Sequence, residues 1–228
     1  MNNNIVNEKS FTLSDFFTRI YALVGMGITV SAIVSFLTLT MFQNNLITII
    51  NNYSWVLPVS WVLELVLVFV LSGASRKDSN IALPGFILYS ALNGFTLSFT
   101  LAYYSLGSVT EAFIIAGIMF FGLAFYGSRT KKDLTGMGKA MRIGLFGIII
   151  ASILNLFIGG SGLSFLISIV SVVIFSGLVA YENQLITRIY ESQRGQVTNG
   201  MAISMALNLY LDFINLFISL LRIFGSRD

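Results

Sequence analysis

Residues 201–224 read MAISMALNLYLDFINLFISLLRIF, a stretch long and apolar enough to cross a bilayer as one helix, which takes about 20 residues. One carboxyl group, that of Asp212, lies near its centre. Polar residues recur in steps of four, four, three and four at Ser204, Asn208, Asp212, Asn215 and Ser219. This spacing puts them on one helix face. An unpaired carboxylate facing lipid at mid-helix costs roughly 2.5 kcal/mol or more, so we expect other helices to surround this face.

The composition is typical of a membrane protein. Of its 228 residues, 56% are hydrophobic and only 10% are charged, too few charges to cover a soluble domain. The fold class expected is all-α, a polytopic membrane protein. Cysteine and histidine are absent, which excludes disulfides, thiolate catalysis, His-ligated metals and a Ser-His-Asp triad. We therefore expect no enzyme and no cofactor, and the loop positions of the basic residues argue against nucleic-acid binding.

Seven apolar stretches predict seven transmembrane helices. They cover about residues 20–41, 53–73, 81–104, 111–127, 140–158, 163–181 and 201–224. Residues 1–17 are polar and lack the pattern of a signal peptide, so they are expected to form an N-terminal tail. Residues 18–228 would then form a single transmembrane domain.

The basic residues predict an orientation. Eleven of the 13 lie in the tail, in the loops after spans two, four and six, or at the span ends beside them, whereas the loops 43–52, 105–110 and 159–162 contain none. The rule that Lys and Arg stay inside predicts a cytoplasmic N-terminus. Arg222 and Arg227 lie at the other end of span seven, so a model with six spans and a re-entrant last segment is an alternative. We favour seven spans because the last is long enough to cross.

Glu111 is expected to start span four, and three other acidic residues of the ten lie within or at the end of a span: Glu64, Glu182 and Asp212. No Lys or Arg lies well inside any span, so these acids would be protonated at rest, share protons or bind a cation. Carboxylates together with Asn208 and Asn215 would suit a hard cation such as calcium. We take Glu64, Asn208 and Asn215 as candidate pathway residues. The plainer interpretation is that the acids are neutral and hydrogen-bond between helices, at about 1 kcal/mol each.

Three segments resemble those of a known family. Residues 207–217, LNLYLDFINLF, followed by 220–225, LLRIFG, resemble the C-terminal signature of the Bax inhibitor-1 family. Residues 180–184, AYENQ, are similar to the family's Ala-Tyr-Asp-Thr-Gln segment, and 131–134, KKDL, to its loop before span five. The resemblance extends over essentially the whole chain after the tail.

The resemblance implies a seven-helix bundle with the last helix at its centre. For bacterial members it also implies a pH-sensitive calcium leak governed by two facing acids, which fall by motif on Glu182 and Asp212. These two would sense pH, gate the pathway and serve as candidate calcium ligands. Glu182 stands where the family usually has Asp. Leak members also carry an Arg that latches the pair, and the nearest candidate here is Arg76, placed by the pattern in the loop after residue 73.

Two functions follow from this resemblance. The first is a proton-gated cation leak, with calcium as the expected ion, in a bacterial plasma membrane. The second is a non-transporting helical regulator of a membrane protease or another membrane complex. The lipid bilayer is a partner in both.

Depth sets a condition on the acid pair. Asp212 would lie about 16 Å below residue 201, whereas Glu182 would end span six near the surface. The two can meet only if the last helix begins outside the membrane or if the spans tilt.

Overall fold

A computed structural model of the chain describes residues 12–42, 48–49, 52–53 and 55–226. These residues form seven long α-helices and no strand: α1 (Leu13–Met41), α2 (Val56–Arg76), α3 (Ala82–Leu101), α4 (Leu106–Arg129), α5 (Thr135–Ile158), α6 (Ser161–Ser192) and α7 (Asn199–Phe224). All seven are long and apolar enough to cross a membrane, so the all-α, seven-span expectation is confirmed. The tail up to residue 11, most of the loop 43–52, Arg227 and Asp228 lie outside the described residues.

The last helix runs from the α6–α7 connection to the connection between α3 and α4. Beyond its end, the Ser226 backbone N–H donates to Ser108 Oγ at 3.0 Å, and the Ser105 N–H donates to the Ser226 carbonyl at 3.4 Å. This continuous path favours seven spans over the alternative with a re-entrant last segment.

Several helices extend past the predicted spans. The second span was expected to end at residue 73, but α2 continues to Arg76, which lies exposed in its last turn instead of in a loop. Ser105 caps α4, so Glu111 lies in the second turn and does not start the helix. The longest extension is that of α6, which continues to Ser192. Hydropathy detects the part of a helix that lies in lipid, and polar turns that continue it into water escape that signal.

Side-chain caps define several helix starts. Thr12 and Asp15 form a capping box on α1, and Thr198 accepts a hydrogen bond from the Met201 N–H at the start of α7. The Asp78 carboxylate, between α2 and α3, accepts from the Gly200 N–H and so also satisfies the first turn of α7. The connection 193–198 between α6 and α7 contains two residues in the left-handed region, Arg194 and Gly195.

Apart from α7, the helices pack in two groups. In the first, α3 packs against α1 and α2, and in the second, α6 packs against α4 and α5. The remaining helix, α7, packs against α1, α2 and α3 of the first group and against α4 and α6 of the second. It is also the most buried of the seven. Its polar face therefore looks at protein, as the charge at Asp212 required.

Glycines allow the closest approaches within each group. A Cβ at Gly127 of α4 would collide with the backbone carbonyl of Ala180 in α6. Within the first group, the Gly94 backbone contacts that of Ser31, and Ser35 Oγ donates to the Gly94 carbonyl at 2.6 Å. In a bilayer, where lipid is as apolar as the side chains, such close backbone packing is a main source of helix association.

Candidate functional site

The antiparallel pair of α6 and α7 brings Glu182 and Asp212 together. Glu182 lies ten residues before the end of α6, and Asp212 lies 13 residues after the start of α7. At about 1.5 Å per residue, the two lie roughly 15 and 20 Å from the ends that the connection 193–198 joins. The depth condition set by the sequence is therefore met because α6 continues beyond Tyr181 and raises the start of α7 with it.

The two carboxyl groups are buried next to each other where α6 and α7 pack together. Glu182 is 6% exposed and Asp212 is 5% exposed. Glu182 Oε2 and Asp212 Oδ2 are buried without a hydrogen-bond partner among the described residues. Two ionised carboxylates are both acceptors, so these groups can hydrogen-bond to each other only when one of them keeps a proton.

The sequence reasoning did not consider Arg142, which lies near the start of the predicted span 140–158 and is the eighth residue of α5. Its Cζ lies 5.0 Å from the centroid of the Tyr181 ring, and Tyr181 directly precedes Glu182. The latch candidate, Arg76, is exposed at the end of α2, and no interaction of its charge with Glu182 or Asp212 is found in the structure as described.

The residue after Glu182 fastens α6 to α1. Asn183 is fully buried, accepts a hydrogen bond from the Tyr21 hydroxyl at 2.6 Å and donates to the Val179 carbonyl at 2.8 Å. Both ends of its amide are thereby satisfied. The position of Glu182 along α6 is consequently fixed against a second helix.

The next polar residues of α6 hold the loop between α4 and α5. Gln184 accepts from the Leu134 N–H at 2.9 Å and donates to the Lys132 carbonyl at 2.7 Å. One turn later, Arg188 forms an ion pair of 2.6 Å with Asp133. The segments 180–184 and 131–134, which carry two of the sequence resemblances, are therefore in direct contact.

The acid of the ion pair in this loop stays ionised down to acidic pH. Hydrogen bonds from Thr135 and Arg188 hold the pKa of the Asp133 carboxyl well below its usual range. Any stabilisation from this group is present above its unfolded pKa and is lost only as the pH falls toward the lowered value. Asp133 therefore stays ionised at pH values where a carboxyl pair that shares a proton would change its charge.

Glu64 lies in a different cluster, with α3. Thr96 Oγ1 donates to its Oε1 at 2.5 Å, and Asn93 Nδ2 donates to its Oε2 at 3.4 Å. The side-chain Oδ1 of Asn93 accepts from the Tyr210 hydroxyl at 2.8 Å, and that hydroxyl lies 2.6 Å from Ser31 Oγ. This network connects α2, α3, α7 and α1.

The Glu64 cluster and the acid pair lie on opposite sides of α7. Tyr210 and Asp212 are two residues apart, which is about 200° around a helix of 3.6 residues per turn. The amide of Asn93 separates Glu64 from Tyr210, and an amide is a poor relay for protons. The structure thus gives two separate acidic sites, one on each side of the last helix.

The two amide candidates on α7 differ in their surroundings. Asn208 is half-buried one turn before Asp212. The Asn215 amide donates to the Leu211 carbonyl of its own helix at 2.8 Å, and Ser219 Oγ donates to the Asn215 carbonyl at 2.7 Å. Asn215 therefore has a local partner, whereas Asn208 offers its amide to the same side as Asp212.

The acid pair alone is too small to hold a calcium ion. No cluster of three or more Asp, Glu, His or Cys side chains occurs in the part of the chain that the structure describes. Calcium takes six to eight oxygen ligands, so calcium at Glu182 and Asp212 would need further oxygens from amides, carbonyl groups or water.

Replacing Glu64 tests whether its charge belongs to the pathway. Glu64→Gln keeps the volume and the bond from Thr96 but removes the charge, so we expect a changed flux with a loss of stability of about 1 kcal/mol or less. Thr96→Val is the matched control, because it removes the donor and keeps the carboxyl group. Flux and thermal unfolding of both variants are measured in parallel. Equal flux with lowered stability in both would assign Glu64 to packing.

Comparison with known proteins supports the resemblance seen in the sequence. The profile of the family described as "Inhibitor of apoptosis-promoting Bax1" matches residues 13–228. A membrane protein of Streptococcus pyogenes serotype M6, described as uncharacterized, is 51% identical over the full length of both chains. YrjE of Lactococcus lactis is 50% identical over 98% of this chain and 96% of its own. The inner membrane protein YbhL of Escherichia coli is 38% identical over 73% of each chain. The chain therefore belongs to the Bax inhibitor-1 family of multi-pass membrane proteins.

Proposed function

We propose that this protein is a passive, pH-sensitive cation leak that conducts calcium and is closed by a proton shared between Glu182 and Asp212. The observation that supports the proposal is the burial of these two neighbouring carboxyl groups, each with an oxygen that lacks a hydrogen-bond partner among the described residues. Acidic groups within membrane spans are rare and are usually part of a pathway for ions or protons.

Loss of the shared proton supplies the opening force. Two ionised carboxylates about 4 Å apart repel each other by about 4 kcal/mol at an effective dielectric constant of 20. That repulsion would separate α6 from α7 at this level or draw in a cation. The flux should therefore rise with pH and fall on acidification.

The half-buried polar side of α7 gives an entering cation its oxygens. Asn208 lies one turn from Asp212 on this side, and Asn215 nearly one turn beyond it. Side-chain amide oxygens and carbonyls suit calcium, and their low charge allows the ion to leave again. The chain contains no nucleotide-binding motif, so transport down a gradient is proposed.

We further propose that the N-terminus lies in the cytoplasm, from the distribution of the basic residues. The chain has no native cysteine, so a single introduced thiol reports its own side of the membrane. A Lys132→Cys variant is expected to react with an impermeant maleimide only after the cells are opened. Labelling in intact cells would reverse the orientation.

One exposed surface supports the alternative function, a regulator of a membrane protease or another complex. Gln184 and Arg188 hold the loop between α4 and α5 so that Lys131 and Lys132 remain exposed. Such a fixed basic loop could contact a partner. A regulator would need that partner for any effect, whereas a leak acts alone.

Reconstitution of the purified protein separates the two functions. Liposomes that enclose a calcium indicator are prepared with the protein as its only component, and influx is followed across a pH series. We expect influx above that of empty liposomes, decreasing toward acidic pH. Influx no greater than in empty liposomes at every pH would contradict the leak and favour the regulator.

A further inference from the structure

The segment 129–142 concentrates positive charge at one end of the helix bundle. It contains five basic residues and a single acidic residue, Asp133. The Asp133 carboxylate forms its ion pair with Arg188, which belongs to α6. The five basic side chains are all exposed and form a basic cluster: Arg129, Lys131, Lys132, Lys139 and Arg142. The charge of this basic cluster is therefore not neutralised within its own segment.

The other connections between the helices carry a smaller excess of positive charge. Between α2 and α3, Lys77 is followed directly by Asp78, and near the α6–α7 connection Arg194 follows Glu191. The connections 102–105 and 159–160, at the opposite end of the bundle, contain no basic residue. Positive charge is thus concentrated around the α4–α5 connection and is not spread evenly over this end of the protein.

Hydrogen bonds from α6 give the loop 130–134 a defined shape. Gln184 accepts from the Leu134 N–H at 2.9 Å and donates to the Lys132 carbonyl at 2.7 Å. The side chains of Lys131 and Lys132 remain exposed on this fixed backbone. Because the backbone is already ordered, less conformational entropy is lost when the two lysines bind an anion.

The two arginines of the basic cluster lie against aromatic rings. The Arg129 Cζ is 4.6 Å from the centroid of the Phe125 ring, and the Arg142 Cζ is 5.0 Å from that of the Tyr181 ring. A guanidinium group stacked in this way keeps N–H groups for other acceptors, and its paired donors match two oxygens of a phosphate. Two groups suited to phosphate are therefore held at the ends of the segment.

Both helices change from charged to apolar within about one turn of these arginines. On α4, the exposed Phe125 lies one turn before Arg129, and on α5, the exposed Ile143 and Phe146 follow Arg142. In a membrane protein, exposed apolar side chains face the lipid tails, whereas cations beside them reach the level of the headgroups. The basic cluster therefore lies where a lipid phosphate joins the acyl chains.

The packing of α4 and α5 leaves these apolar surfaces to the lipid. Both helices pack extensively on α6, but few residues of one lie close to residues of the other. Of the seven helices, α5 is the least buried. The exposed flanks of the two helices therefore meet lipid on the membrane side of a shared basic loop.

We propose that the basic cluster binds the headgroup of an anionic phospholipid, whose acyl chains lie along the exposed apolar surfaces of α4 and α5. In the proposed orientation this lipid belongs to the cytoplasmic leaflet. An acidic segment of a partner protein would match the charge but not the apolar surface that continues from it. The inference does not depend on the calcium leak.

The association of spin-labelled lipids with the full-length protein tests the proposal. The protein is reconstituted in phosphatidylcholine with a trace of phosphatidylglycerol or phosphatidylcholine that carries a spin label on its acyl chain. The motionally restricted part of the spectrum measures the lipid in contact with the protein. We expect the wild type to prefer phosphatidylglycerol, and this preference should decrease as the salt concentration rises.

Variants of the loop locate the preference. One Lys or Arg near an anionic surface contributes up to about fivefold in affinity, so Lys131→Gln with Lys132→Gln should bring the ratio of the two lipids close to one. Lys131→Arg with Lys132→Arg keeps the charge and should keep the preference. If the first variant does not fold, Arg129→Gln with Lys139→Gln removes the same charge from outside the loop and should have the same effect.

A matched control is present at the end of α2. Arg76 and Lys77 are also exposed and lie at the same end of the bundle, so Arg76→Gln with Lys77→Gln removes an equal charge outside the basic cluster. This control should keep the preference of the wild type. An equal loss in the control would overturn the inference, because the preference would then follow the total charge of this end of the protein. A wild type that does not distinguish the two lipids would also overturn it and would favour a protein partner for the loop.

Discussion

Asp212→Asn is expected to abolish the pH dependence of calcium influx and to leave the influx at one level across the whole pH series. The amide keeps the shape of the side chain but cannot ionise, so the pair loses the change of charge that separates its open and closed states. The measurement is influx into liposomes for the wild type and the variant at each pH. A normal pH curve in Asp212→Asn would reject proton sharing as the gate and leave a structural role for the acids.

Glu182→Gln should flatten the same curve. Because the two carboxyl groups titrate as a unit, the double variant should add little to either single change. Asp133→Asn is the control, since Asp133 forms an ion pair outside the membrane spans and its pKa is already lowered by Thr135 and Arg188. It should leave the midpoint in place. Additive effects of the two pair variants would show independent acids.

Gly127→Ala is expected to destabilise the protein more than alanine at any other glycine of α4. The new Cβ would meet the backbone carbonyl of Ala180, which cannot turn away as a side chain can, so α4 and α6 must separate. Overpacking of this kind costs about 1–3 kcal/mol, and the loss of close helix contact adds to it. Thermal unfolding of the purified protein in detergent measures the effect.

The same helix offers a control for this substitution. Gly122 lies on α4 with no atom of another residue within 4 Å of where its Cβ would be, so Gly122→Ala should be neutral or slightly stabilising. Equal stability of the two variants would show that α4 and α6 do not approach as closely as Gly127 and Ala180 indicate.

The spans and the acid pair were predicted from different features of the sequence. Seven apolar stretches were sufficient to count the helices, because lipid imposes length and composition on each. Spacing within α7 identified Asp212, but the resemblance of residues 180–184 was needed to pair it with Glu182. The predicted spans ended several residues short of the observed ends of α2, α4 and α6, because the terminal turns of these helices are polar.

No local pattern in the sequence predicted which residues surround the acids. Tyr181, the neighbour of Glu182, rests on Gly138 of α5, a contact between residues more than forty positions apart. Glu64 finds its donors, Asn93 and Thr96, on another helix. Such contacts depend on how helices rotate and approach one another, which hydropathy and spacing do not determine.

The bonds on the two sides of α7 also bear on how the molecule could deform. Tyr210 ties α7 to α1 and α3 through Ser31 and Asn93, whereas the loop bonds of Gln184 make α6 carry the α4–α5 connection with it. The acids lie on the boundary between α6 and α7, which is one of the most extensive helix contacts among the described residues, so repulsion between them would act against that packing. The connection 193–198 joins the two helices at one end of this boundary and contains Arg194 and Gly195 in left-handed conformations. Because the helices stay joined there, any separation at the acids would be larger at the opposite ends of the two helices.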